Sequence, residues 1–189
     1  MWIRDRLPAH VPGRPSGVER NVVATVRDWS SPQFYMHDLS GTDRRDPTVN
    51  GYGKLYGAPE LSTDEMPVLD PAANESSVFN VPVRDDDTPT THDAPVVAPS
   101  PYWGDERIWD SKSNIHNPML DQDGRVWLTA RIRGPNNPEF CREGSDHPSA
   151  TLYPKDRTGR HLAVLDPSTG EYQFVDTCFS THHLQFAYD

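Results

Sequence analysis

What this chain lacks narrows it quickly. Only 34% of its 189 residues are hydrophobic, and no apolar run approaches the roughly 18 to 20 residues that span a bilayer, so no transmembrane helix is expected. Cations are scarce: 18 Lys+Arg against 28 Asp+Glu give a net charge of -10, which removes the basic footprint that DNA or RNA binding needs. There is no phosphate-cradling glycine loop, no dinucleotide fingerprint and no Cys-x-x-Cys pair, which argues against nucleotide chemistry. Met1-Trp2-Ile3-Arg4-Asp5-Arg6 has no apolar core of the kind that drives export, so the residues given read as unexported unless Met1 is internal to a longer precursor. Cysteine is limited to Cys141 and Cys178. A bridge between them would pin a long loop to the end of a strand and imply an oxidising compartment; the alternative is two free thiols.

Turn formers are abundant. With 19 Pro and 12 Gly, much of the length goes to loops and little is left for long helices. Between the turns lie short β-branched and aromatic runs. Two of them repeat: Val68-Leu69-Asp70-Pro71 leads through Asn74-Glu75-Ser76 into Val78-Phe79-Asn80-Val81, and Val164-Leu165-Asp166-Pro167 leads through Gly170-Glu171 into Tyr172-Gln173-Phe174-Val175. An apolar strand, an Asp-Pro turn and a second alternating strand, found twice, is the outer hairpin of a propeller blade. A third hairpin is expected where Ile115-His116-Asn117-Pro118-Met119-Leu120 and Arg125-Val126-Trp127-Leu128-Thr129-Ala130 flank Gln122-Asp123-Gly124, with a type I′ Asp-Gly turn.

These signals divide the chain as follows: residues 1–19 a linker or lead-in arm, 20–84 one irregular blade, 85–110 a crossing, 111–178 a second blade, and 179–189 the opening strand of a third. The expected fold class is all-β, a loop-rich partial β-propeller. A regular blade takes roughly 40 to 45 residues and a ring closes with about 4 to 8 blades, so the first expected partner is the remainder of the propeller.

The phrase from His116-Asn117-Pro118 through Asp123-Gly124-Arg125-Val126-Trp127-Leu128-Thr129, followed by Leu165-Asp166-Pro167-x-Thr169-Gly170, resembles the repeat of virginiamycin B lyase-like and other NHL-type propellers. Together with Tyr102-Trp103-Gly104-Asp105, the stretch from Cys141 to Ala150, and Thr181-His182-His183-Leu184-Gln185-Phe186, it is similar to large exported bacterial proteins that carry a carboxypeptidase regulatory-like β-sandwich before the propeller. The resemblance implies a periplasmic or secreted location. It does not carry over the lyase's catalytic residues, because no position here matches them.

Histidine carries the chemistry. His116 and the pair His182-His183 fall just inside the opening strands of successive expected blades, and such strands line the central channel. Imidazoles from several blades can hold a divalent transition metal, Zn, Cu or Fe, without any local spacing motif; the plainer reading is that they hydrogen-bond neighbouring blades or plug the channel. Asp146 and His147 in the long loop, and Trp103 beside Tyr102 and Trp109, are candidates for holding a small-molecule or glycan ligand. Aromatics of this kind also serve as packing. Gly144-Ser145-Asp146-His147 juxtaposes the residue types of a hydrolase triad, but neighbours in one loop rarely face each other as a triad requires, so a capped loop is expected. Asp121-x-Asp123-Gly124 lacks the later ligands of a calcium loop, and Asn74-Glu75-Ser76, although a glycosylation sequon, reads as a turn. Three functions follow: a module binding a metal or ligand at the channel, a metal-assisted lyase, or a scaffold binding protein or carbohydrate.

Overall fold

The computed structural model describes residues 36–59, 63–90 and 110–188. The lead-in arm, the start of the first expected blade, most of the 85–110 crossing, Trp103 and Trp109 lie outside the described residues. Two four-stranded antiparallel sheets make up the fold, each a simple meander. The first contains β1 (Asp38–Ser40), β2 (Leu55–Ala58), β3 (Glu65–Asp70) and β4 (Glu75–Asn80); the second contains β5 (His116–Leu120), β6 (Val126–Ala130), β7 (His161–Asp166) and β8 (Glu171–Val175). One five-residue helix, α1 (Pro148–Leu152), interrupts the long loop between β6 and β7. Among the described residues no helix is long and apolar enough to cross a membrane.

The repeated Asp-Pro hairpins are equivalent in atomic detail. Asp70 pairs with Glu75, and Asp166 pairs with Glu171. Each aspartate turns its Oδ1 onto the loop it opens, accepting from Ala72 N and Ala73 N in the first copy and from Ser168 N and Oγ in the second. Each loop closes through one left-handed residue at the same position, Asn74 (φ 56°) or Gly170 (φ 78°). Glycine has no Cβ to clash there, and asparagine is the side chain that tolerates this region best. The third hairpin differs from expectation. A type I′ turn needs positive φ at both central residues, but in Gln122-Asp123-Gly124 only Gly124 has it (φ 78°). The loop is closed instead by Asp121, whose Oδ1 accepts from Asp123 N and Arg125 N and whose Oδ2 accepts from Arg125 Nε and Trp127 Nε1. The carboxylate that resembled a calcium ligand is thus saturated by the protein itself.

The core explains which strands are inner. β5, β6 and β7 are buried along most of their length, whereas β4 has no buried residue and leaves most of its residues exposed. Met66 and Val68 from the first sheet join Ile115, Leu120, Val126, Leu128, Ala130, Ala163 and Leu165 from the second in a single apolar cluster. The sheets meet through β1 and β2 against β5. Asp64 closes the seam: its carboxylate accepts from Ser111 Oγ, Lys112 N, Ser113 N and Ser113 Oγ and so fixes the approach to β5. Residues 179–188, expected to open a third blade, form no strand; they run back irregularly along the second sheet.

The long loop is held at both ends. Asn137, fully enclosed, donates to Lys155 O and Cys178 O, and Asn136 bridges Arg157. Cys141 and Cys178 form a disulfide with a Cα–Cα separation of 5.2 Å, pinning the loop to the end of β8 as one of the two readings of the sequence required. Closing a loop of this length removes about 4 kcal/mol of chain entropy from the unfolded state. The Cys141→Ala/Cys178→Ala double variant is therefore expected to unfold at a lower denaturant midpoint, by about 3 to 4 kcal/mol. An unchanged midpoint would show that the loop is held by its hydrogen bonds alone.

Candidate metal centre

The geometry around His116 starts from two asparagines. Asn114 (φ 43°) and Asn117 (φ 46°) both take left-handed backbone on either side of Ile115-His116. The pairing of β5 with β6 slips here: His116 faces Thr129 but Met119 faces Trp127, so β5 carries one extra residue. Pro118, which has no N–H to give a ladder, sits inside this bulge, and bulges characteristically re-aim the side chains beside them. The His116 ring lies in the seam between the sheets and is 1% exposed. Asn117 Oδ1 accepts the backbone N–H of Leu184, which draws the returning segment, and with it His182 and His183, over the start of β5. Thr181 is fixed alongside, its hydroxyl donating to His161 O at 2.6 Å. Farther along, Phe186 packs edge-on against Trp127 and under the Arg45 guanidinium.

Four imidazoles and a carboxylate converge. His116 Nε2 lies 3.2 Å from His183 Nε2. His182 stacks on His116 with centroids 4.4 Å apart, and His183 meets His182 edge-on at 4.3 Å. One donor atom from each of His116, His182 and His183 falls within 4.8 Å of the others. On the opposite edge of the ring, His116 Nδ1 lies 3.3 Å from Asp38 Oδ2, and His37 Nδ1 lies 3.4 Å from the same oxygen. His37 and Asp38 stand at the start of β1, as His116 stands at the start of β5.

The two nitrogens of His116 therefore have separate surroundings. Nδ1 lies 3.3 Å from a carboxylate oxygen without hydrogen-bond geometry; a small ring rotation that made this hydrogen bond would fix the imidazole in the tautomer with Nε2 bare, the usual device at metal-binding histidines. Nε2 faces His183, and His182 stacks on the ring; both are exposed and carried on irregular chain. Two ligands at Zn–N distances of about 2.0 to 2.1 Å in a tetrahedron lie about 3.3 Å apart, close to the His116–His183 spacing. A hydrogen bond between one protonated and one bare nitrogen has the same length. The third imidazole and the carboxylate behind Nδ1 are what a simple histidine pair does not need.

The other candidate residues take different places. His147 caps α1, its Nδ1 accepting from Ser149 N at 3.3 Å, and Ser145 Oγ accepts from His147 N and donates to Phe140 O. The capped loop is present, with histidine rather than serine or aspartate as the cap. Asp146 and His147 are exposed and belong to neither group of clustered donors. Trp103 lies outside the described residues. His37 and Asp38 were not among the candidates read from the sequence; the signal was a histidine at the start of each sheet's first strand.

No protein-family model, curated protein or solved structure matches the chain. The centre is therefore argued from its own geometry.

His161 is the other buried histidine among the described residues and has a different role. It is fully enclosed; Nδ1 accepts from Thr177 N at 3.2 Å and lies 3.2 Å from Asp176 Oδ1, and Nε2 has no partner among the described residues. Asp176 is gripped by Arg133 and Arg84. Burial and the Arg133 charge push the His161 pKa from 6.5 down to about 4, so the native state holds the ring neutral. Above pH 6.5 neither folded nor unfolded chain protonates it. Below that, the unfolded chain takes up a proton first, so stability falls until about pH 4, by about 2 kcal/mol at pH 5. Asp176, with its pKa lowered, adds a loss only at still lower pH. Urea unfolding at pH 7.5 and pH 5.0 is expected to show this loss, and His161→Asn, whose carbonyl can still accept from Thr177, to lack that share of it. Parallel pH dependence in the two proteins would contradict the assignment.

Proposed function

We propose that the chain is a β-propeller module of an exported bacterial protein that binds a divalent transition metal where the start of β5 meets the segment returning after β8. His116, His182 and His183 are the ligands, and Asp38 orients His116. The observation that carries the reading is the placement of His116, with a carboxylate oxygen 3.3 Å from Nδ1, His183 Nε2 3.2 Å from Nε2, and a donor atom of each of His116, His182 and His183 within 4.8 Å of the others. Support for neighbouring blades comes from two consecutive four-stranded meanders that pack through their first strands. Thiolate is absent from the cluster, and imidazole with carboxylate suits Zn, Cu or Fe. The Cys141–Cys178 disulfide agrees with a periplasmic or secreted setting. His182 and His183 are exposed, so an ion held there keeps a face open to a ligand or substrate, the arrangement that lets a metal polarise a carbonyl in a lyase.

Metal analysis after dialysis against zinc or cobalt is expected to give one ion per chain, with cobalt showing a tetrahedral absorption band. His183→Gln, at the surface, is expected to weaken binding by about a hundredfold or more, and Asp38→Asn by about ten- to a hundredfold. His147→Gln should bind as the wild type does. No ion above background, or an affinity indifferent to His183→Gln, would remove the metal reading and leave the histidines as a packing device.

A further inference from the structure

The end of β6 that faces the histidine cluster also carries a cation without a matching anion. Arg131, just past β6, is half-buried, with its backbone N donating to Ser113 O. The only hydrogen bond of its side chain among the described residues runs from Nη1 to Pro89 O at 3.3 Å. The carboxylate nearest in effect, Asp64, is already occupied by Ser111, Lys112 and Ser113. Arg160, which clamps Asn114 through Nε and Nη2, adds a charge of the same sign. Burial and that neighbouring charge both push the Arg131 pKa down, yet a guanidinium stays protonated in proteins. Removing a charge from water is costly unless a counter-charge meets it.

A cavity of about 270 Å³ opens beside this group. Arg131, Arg133, Arg157 and Gly159 line it together with two prolines, Pro89 and Pro135. Arg133 is spent on Asp176 and Asn137. Arg157 is exposed and makes no ion pair among the described residues. The adjoining cavity shares Arg157 and carries Asp85 and Asp87; Asp85 is held by Arg84, and Asp87 sets a limit on how much negative charge the site accepts.

We infer that Arg131 and Arg157 form an oxyanion site that takes the carboxylate or phosphate group of a small ligand in the cavity between them. Planar guanidinium donors match either group through paired charge-assisted hydrogen bonds. Thr129 lies opposite His116, and Arg131 is two residues farther along the chain. The oxyanion site stands on its own residues and does not require the metal.

Calorimetric titration of the chain, stripped of metal by chelator and desalted, with inorganic phosphate and separately with acetate tests this at low ionic strength. Saturable binding of at least one anion is expected, weakened tenfold or more in R131Q and in R157Q, unchanged in R44Q and reduced by salt. Phosphate alone or acetate alone would identify the group recognised. R157Q alters an exposed side chain and carries the test if R131Q fails to fold. No saturable binding of either anion, binding that survives R157Q, or equal weakening in R44Q would overturn the site.

Discussion

The seam between β1 and β5 is the constraint on which the rest depends. Two sheets, each with an inner face too small to form a core alone, share one apolar cluster across it, and Asp64 locks the approach to β5 by accepting four hydrogen bonds. Into that apolar seam the chain places an imidazole that is almost wholly enclosed. A polar ring in such a position calls for partners at both nitrogens. Nδ1 lies 3.3 Å from Asp38 Oδ2, an ion-pair distance without hydrogen-bond geometry, and Nε2 lies 3.2 Å from His183 Nε2 on the returning segment. Packing, bulge and return segment all converge on the same atom pair.

Much of the architecture was legible because it is local. The Asp-Pro hairpins declare themselves through turn chemistry, an aspartate that hydrogen-bonds the loop it opens and a left-handed residue four positions on, and both operate within six residues of sequence. The exposure of β4, an edge strand, and the burial of most of β7, an inner one, follow from their places in the sheets. Gln122-Asp123-Gly124 gave the hairpin but not the turn type. The dipeptide permits type I′ without requiring it, and Asp121, with three hydrogen bonds to the loop and one to Trp127 in β6, decided otherwise.

The site was legible only in part. His116, His182 and His183 could be set side by side by treating the hairpin as a ruler, yet their meeting does not arise as expected. Residues 179–188 form no strand, and what brings His182 and His183 to His116 is a bulge at Asn117-Pro118 whose side chain catches Leu184. A one-residue slip of register leaves little trace in an alternating pattern. His37 and Asp38 were missed for the complementary reason: their role exists only once β1 packs on β5, a contact between residues nearly eighty positions apart. His161 and His116 show how little residue type settles, since both are buried beside an aspartate. One is held neutral beneath Arg133, and the other opens toward further imidazoles.

The central claim is that three imidazoles share a point at the seam. Diffraction from crystals grown with zinc, collected on either side of the zinc absorption edge, tests it most directly. The account predicts one anomalous peak per chain about 2.0 to 2.1 Å from a nitrogen of each of His116, His182 and His183, with Asp38 on the far side of His116. A His116–His183 hydrogen bond with no peak, or zinc found only at His147 or elsewhere on the surface, would contradict it.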